Sequence, residues 1–67
     1  MKLEQIKKEV EMGKSVYWKN HSYKVVLTSK GEWFIKCLIN NHCIGLTWAD
    51  GVTLNGNEED FFMPDVN

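Results

Sequence analysis

The chain has 67 residues, 43% of them hydrophobic and 25% charged, with a formal net charge of −1 and aromatic residues making up 12%. That is enough for one hydrophobic core but excludes a disordered chain, and a domain this small buries only about 60% of its unfolded surface. No apolar run approaches the roughly 18 residues of a membrane span, the charged stretch from Met1 to Met12 is unlike a signal peptide, and Cys37 and Cys43 are too few for a secreted disulfide framework. The expected location is therefore the cytoplasm.

Leu3, Ile6 and Val10 fall on one stripe of a helical period, and Glu4 to Lys8 and Lys7 to Glu11 form i,i+4 pairs on the polar side. The spacing predicts a helix over 2–12, ended by Gly13 in a left-handed cap. So short a helix is unstable alone, so its apolar stripe must dock.

After Gly13 the period becomes two, and turn residues recur at Asn20-His21, Ser29-Lys30-Gly31, Asn40-Asn41 and Asp50-Gly51. Strands are expected over 15–19, 22–28, 32–39, 42–48 and 52–54, with an acidic, aromatic tail over 55–67, all in a single domain spanning 1–67. Paired residues must share a face, which tests each register. A turn at Asn20-His21 pairs Trp18 with Tyr23 and Val16 with Val25, and a loop with left-handed Gly31 pairs Leu27 with Trp33, Val25 with Ile35 and Tyr23 with Cys37. A turn at Asn40-Asn41 pairs Cys37 with Ile44, Ile35 with Leu46 and Trp33 with Trp48. A turn at Asn41-His42 keeps the same faces, and the better tolerance of Asn for positive φ favours the former. A loop at Ala49-Asp50-Gly51 pairs Trp48 with Val52 and Leu46 with Leu54. The expected core face is Val16, Trp18, Tyr23, Val25, Leu27, Trp33, Ile35, Cys37, Ile39, Ile44, Leu46, Trp48, Val52 and Leu54. The fold class is α+β, a short N-terminal helix packed on a four- to five-stranded antiparallel meander, with a small SH3-like barrel as the alternative. The open sheet is preferred because the helix needs an apolar target.

The opposite face carries Tyr17, Lys24, Val26, Phe34, Lys36, Leu38 and Cys43, an apolar strip flanked by lysines. Charge is segregated along the chain. Residues 1–12 balance, 13–48 carry five lysines against Glu32, and 49–67 carry Asp50, Glu58, Glu59, Asp60 and Asp65 with no base. Three occupants fit the strip. The chain's own tail would lay Phe61, Phe62 and Met63 over Phe34 and Leu38 while Glu58, Glu59 and Asp60 meet Lys19, Lys24 and Lys36. A protein partner, foreign or a second copy in a homodimer, would use the same strip and tail. A single-stranded nucleic acid would stack on Tyr17 and Phe34 and track the lysines, although the absence of arginine and the acidic total count against it. The expected partner-binding residues are Tyr17, Lys24, Phe34, Lys36 and Leu38 with Glu58, Glu59, Asp60, Phe61 and Phe62.

His21, His42, Cys37 and Cys43 lack the paired spacing of a zinc site, and the two cysteines fall on opposite faces, which argues against a disulfide. His42 and Cys43 are strand neighbours and point apart, a poor nucleophile–base pair. No phosphate-cradling glycine motif is present. No catalytic residue, metal, cofactor or small-molecule substrate is expected, and the reading is a non-enzymatic binding protein.

The run Gly45-Leu46-Thr47-Trp48-Ala49-Asp50-Gly51-Val52-Thr53-Leu54-Asn55-Gly56, followed by Asp60-Phe61-Phe62 and preceded by an opening helix-Gly-Lys-x-Val, resembles small proteins of bacteriophages and other mobile elements. The resemblance assigns no residue a role. It implies a protein that acts in the cytoplasm of a bacterial host, where it binds a host factor, including a host defence complex, and inhibits or redirects it.

Overall fold

The helix, α1 (Leu3–Glu11), ends where glycine permits it to. Gly13 takes φ 87°, its N–H donates to the Val10 carbonyl at 2.9 Å, and the Lys14 N–H donates to the Glu9 carbonyl at 3.0 Å. This pair of bonds satisfies last-turn carbonyls only if the residue after the cap is left-handed, which costs glycine no Cβ clash. The structure, a computed structural model, describes residues 1–64; the end of the expected tail, 65–67 with Asp65, lies outside the described residues.

The strands are β1 (Tyr17–Trp18), β2 (Asn20–Leu27), β3 (Trp33–Cys37), β4 (Cys43–Gly45) and, after one 3-10 turn at Glu58–Asp60, β5 (Phe61–Phe62). They form one antiparallel sheet in the order β4-β3-β2-β1-β5, so the last strand returns beside the first. The fold is the expected α+β arrangement, one short N-terminal helix on an open antiparallel sheet of five strands. Ile6 of the helix joins Val16, Val25, Ile35, Leu46 and Phe61 in the buried core, and Leu3, Val10, Trp18, Tyr23, Trp33 and Leu54 pack around them. Each fully enclosed aliphatic side chain stabilises the fold by about 1.5–3 kcal/mol, which is what holds a helix too short to stand alone.

The second hairpin has the expected register: Tyr23 faces Cys37, Val25 faces Ile35 and Leu27 faces Trp33, with Gly31 at φ 83°. The Thr28 hydroxyl accepts from the Lys30 and Glu32 amides and so organises the loop. In the first hairpin Tyr17 faces Lys24, as expected, but the chain reverses at Lys19 (φ 64°) and Trp18 pairs with Asn20 across a bulge. The reversal is held by two contacts. The Lys19 N–H donates to the Asp60 carbonyl at 2.8 Å, and its ammonium lies 4.4 Å from the Trp18 ring centroid. Trp18 still meets Tyr23 edge-on at 5.4 Å.

The third hairpin differs from both expected registers. Ile35 faces Ile44 and Lys36 faces Cys43, two residues from the pairing of Ile35 with Leu46. The strand stops at Cys37 because the chain turns there: the Asn41 N–H donates to the Cys37 carbonyl at 2.8 Å and the Cys37 N–H to the His42 carbonyl at 2.7 Å. Asn40 Oδ1 then accepts from the His42 N–H at 3.0 Å, and Asn41 adopts the left-handed φ of 63°. A two-residue shift preserves the faces but leaves Ile39 79% exposed. The fourth hairpin slips by one. Thr47 faces Leu54, and no strand forms over 52–54. Asp50 accepts from the Val52 and Thr53 amides and the Thr53 hydroxyl, which lengthens the loop by a residue. Trp48 and Val52, expected in the core, are consequently 64% and 73% exposed. Leu27 and Ile44, from the same expected core, are also exposed.

Candidate partner-binding face

Alternation along the strands turns Val16, Val25, Ile35 and Phe61 to the helix and turns their neighbours to the other side of the sheet. One row crosses all five strands there: Cys43 faces Lys36, Lys36 faces Lys24, Lys24 faces Tyr17, and Tyr17 faces Phe62. The next row sets Val26 opposite Phe34, and Phe34 opposite Gly45. Tyr17, Lys24, Val26, Phe34, Lys36 and Phe62 are half-buried, while the helix occupies the opposite face.

Two features give this face its character. Lys24 and Lys36 stand directly opposite one another, a destabilising cross-strand pair of like charges. Among the described residues the one ion pair is Lys14 with Glu9 at 3.5 Å, so neither Lys24 nor Lys36 has a carboxylate partner. Beside them lies an aromatic group. The Tyr17 and Phe62 rings are 5.9 Å apart, and His21 meets Tyr17 at 4.9 Å and Phe62, edge-on, at 5.3 Å.

Of the residues expected to bind a partner, Tyr17, Lys24, Phe34, Lys36 and Phe62 thus share one surface, and exposed Leu38 continues it just beyond β3. Phe61 does not belong to it. Its side chain is 3% exposed in the core, against Trp18 at 6.2 Å. The tail does not lie across Phe34 and Leu38 but extends the sheet as an edge strand. Glu58, Glu59 and Asp60 form the turn before that strand, where the terminal ammonium of Met1 donates to the Glu58 carbonyl. They make no ion pair with Lys19, Lys24 or Lys36 among the described residues. His21 joins the face unexpectedly, since its place depends on the left-handed Lys19, which no sequence pattern marks.

Near His42, a groove of about 160 Å³ is lined by Tyr23, Ile35, Cys37, Asn40 and Ile44. It is smaller than the roughly 300 Å³ at which ligand pockets begin. Among the described residues no group of three or more His, Cys, Asp or Glu side chains is placed to hold a metal ion, and no helix is long and apolar enough to cross a membrane.

The fold and this face define a class of molecule: a small α+β domain with a helix on one side of an antiparallel sheet and an aromatic, basic surface on the other. No known family, curated protein or solved structure matches the chain.

Proposed function

We propose that this chain is a non-enzymatic binding protein that docks an anionic surface of a host macromolecule on the outer face of its sheet and inhibits that target. The observation that carries the reading is the Lys24–Lys36 pair, opposed across β2 and β3 with no carboxylate partner among the described residues and bordered by Tyr17, Phe34 and Phe62. Two like charges held together at a cost to folding become favourable when a bound anion lies between them. The aromatic rings supply the apolar centre of an ordinary protein interface, and the lysines its charged rim. The resemblance to phage and mobile-element proteins supports a target in the bacterial cytoplasm, with a host defence complex as the class.

The test is a pair of variants, Phe34→Ser with Leu38→Ser, and Lys24→Glu with Lys36→Glu. Each is compared with the native chain for circular dichroism and for capture of proteins from bacterial lysate by quantitative mass spectrometry. Both variants should fold and lose the same captured protein. Unchanged capture by the folded variants, or unfolding of the Phe34/Leu38 variant, overturns the reading. The three rings flanking two lysines also favour a second occupant, single-stranded nucleic acid. Titrating a labelled oligonucleotide at low and physiological salt separates the two, because absence of binding even at low salt, where phosphate contacts are strongest, removes the nucleic acid.

A further inference from the structure

We infer that β4 is the seam of a homodimer, in which two copies of this chain join their sheets edge to edge. The two edges of the sheet, β4 and β5, are built differently. The β5 edge is guarded: three acids, Glu58, Glu59 and Asp60, precede Phe61, and Pro64 follows two residues after Phe62. Charges and proline are the usual means by which a sheet edge refuses another strand. The β4 edge has neither, since residues 38–49 contain no lysine, arginine, aspartate, glutamate or proline.

The free backbone groups lie where such pairing needs them. The Cys37 N–H donates to the His42 carbonyl at 2.7 Å and the Leu46 N–H to the Trp33 carbonyl at 3.2 Å, while Ile44 faces Ile35. Residues 42 and 44 and the Leu46 N–H therefore bond inward to β3, the Leu46 carbonyl accepts from the Asn55 N–H at 2.9 Å where the returning chain closes that end of the edge, and the alternate residues Cys43 and Gly45 present their amides and carbonyls outward. The Gly45 carbonyl already accepts from Asn55 Nδ2 at 3.1 Å. Both backbone groups of Cys43 and the Gly45 N–H have no partner among the described residues and are left for a neighbour.

The occupant is a second copy because the edge matches itself. A neutral edge meets its twofold mate without like-charge repulsion, and antiparallel pairing about Ile44 sets Ile44 opposite its twin and Cys43 opposite Gly45. Ile44, 44% exposed, then gains a cross-strand apolar partner on the helix side. Of the seven exposed large hydrophobic residues among the described ones, five, Leu38, Ile39, Ile44, Trp48 and Val52, lie in the stretch around this edge. The dimer also joins the two outer faces into one surface. The two β3 strands lie three inter-strand spacings apart, about 14 Å, with a Lys24–Lys36 pair on each side of the seam. The inference does not rest on the partner-binding reading.

Sedimentation of the purified chain should give twice the 7.8 kDa chain mass at high concentration, falling to the single-chain mass on dilution. Ile44→Lys places a charge on the edge and should give a folded monomer. A short bismaleimide should bridge two native chains through exposed Cys43, and Cys43→Ser should abolish the bridge while leaving the dimer. If Ile44→Lys fails to fold, the cross-link decides. A native chain that stays at the single-chain mass at millimolar concentration, a dimer that Ile44→Lys leaves intact, or a dimer without the Cys43 bridge overturns the inference. Lys24→Glu with Lys36→Glu leaves the dimer unchanged, so failure of the seam and failure of the partner-binding face are read separately.

Discussion

Phe61 and Phe62 are adjacent and chemically identical, yet the pairing of β5 with β1 gives them opposite work. Phe61, opposite Trp18, is enclosed with Ile6, Val16 and Leu46, whereas Phe62, opposite Tyr17, is half-buried against Tyr17 and His21 on the outer face. Truncating an enclosed phenylalanine costs about 3–5 kcal/mol. The whole stability of a domain this size is about 3–10 kcal/mol. Phe61→Ala should therefore lower the thermal midpoint severely or leave the chain unfolded. Phe62→Ala should shift it little and act on partner capture instead. Thermal melts of the two variants side by side check this, and equal losses of stability would mean that the tail strand does not separate core from surface as described.

At the scale of elements, what could be read beforehand depended on which interactions set each turn. The helix and its end at Gly13 follow from an apolar stripe and one glycine, both local, and the second hairpin follows from Gly31 and three apolar pairs. The outer-face residues Tyr17, Lys24, Phe34 and Lys36 were legible for the same reason, since parity needs only the correct face. The later hairpins depend on side-chain capping that alternation does not encode. Asn40 holding the His42 amide moved one register by two, and Asp50 holding Val52 and Thr53 moved the other by one. Phe61 in the core was not legible, because β5 pairs with a strand more than forty residues earlier and is only two residues long. The Asp50 loop makes its own prediction. Bonds from the Thr53 hydroxyl, the Thr53 amide and the Val52 amide favour the carboxylate and hold its pKa below the usual value. A depressed folded-state pKa contributes stability that is present above the unfolded value, about 3.9, and is lost as pH falls through the lower folded value. The Val52 and Thr53 amide resonances should therefore move together with the Asp50 carboxyl only below about pH 4. Asp50→Ala should remove that titration, and a carboxyl titrating at the ordinary value would contradict the capped loop.

For the whole molecule, the placement of charge separates folding, self-association and partner binding. Folding uses almost no ion pairs: among the described residues there is one, Lys14–Glu9, with the lysine side chain 53% exposed, and pairs of that kind contribute about 0–1 kcal/mol. The proposed seam lies in a stretch with no formal charge, so it too should be indifferent to ionic strength. On the outer face Lys24 and Lys36 stand opposed without a carboxylate partner among the described residues, and interactions of charges at the protein surface are screened over about 8 Å at physiological ionic strength. Raising salt from low to physiological levels and beyond should therefore leave the thermal midpoint and the dimer dissociation constant nearly unchanged while weakening partner capture severalfold. The three measurements can be made on one preparation, and each can fail alone. A salt-sensitive melt would reveal carboxylate–lysine contacts that hold the fold. A salt-sensitive dimer would move self-association from the neutral β4 edge to the lysine-bearing face. Salt-insensitive capture would place the partner on apolar surface alone and leave the opposed lysines without a role in binding.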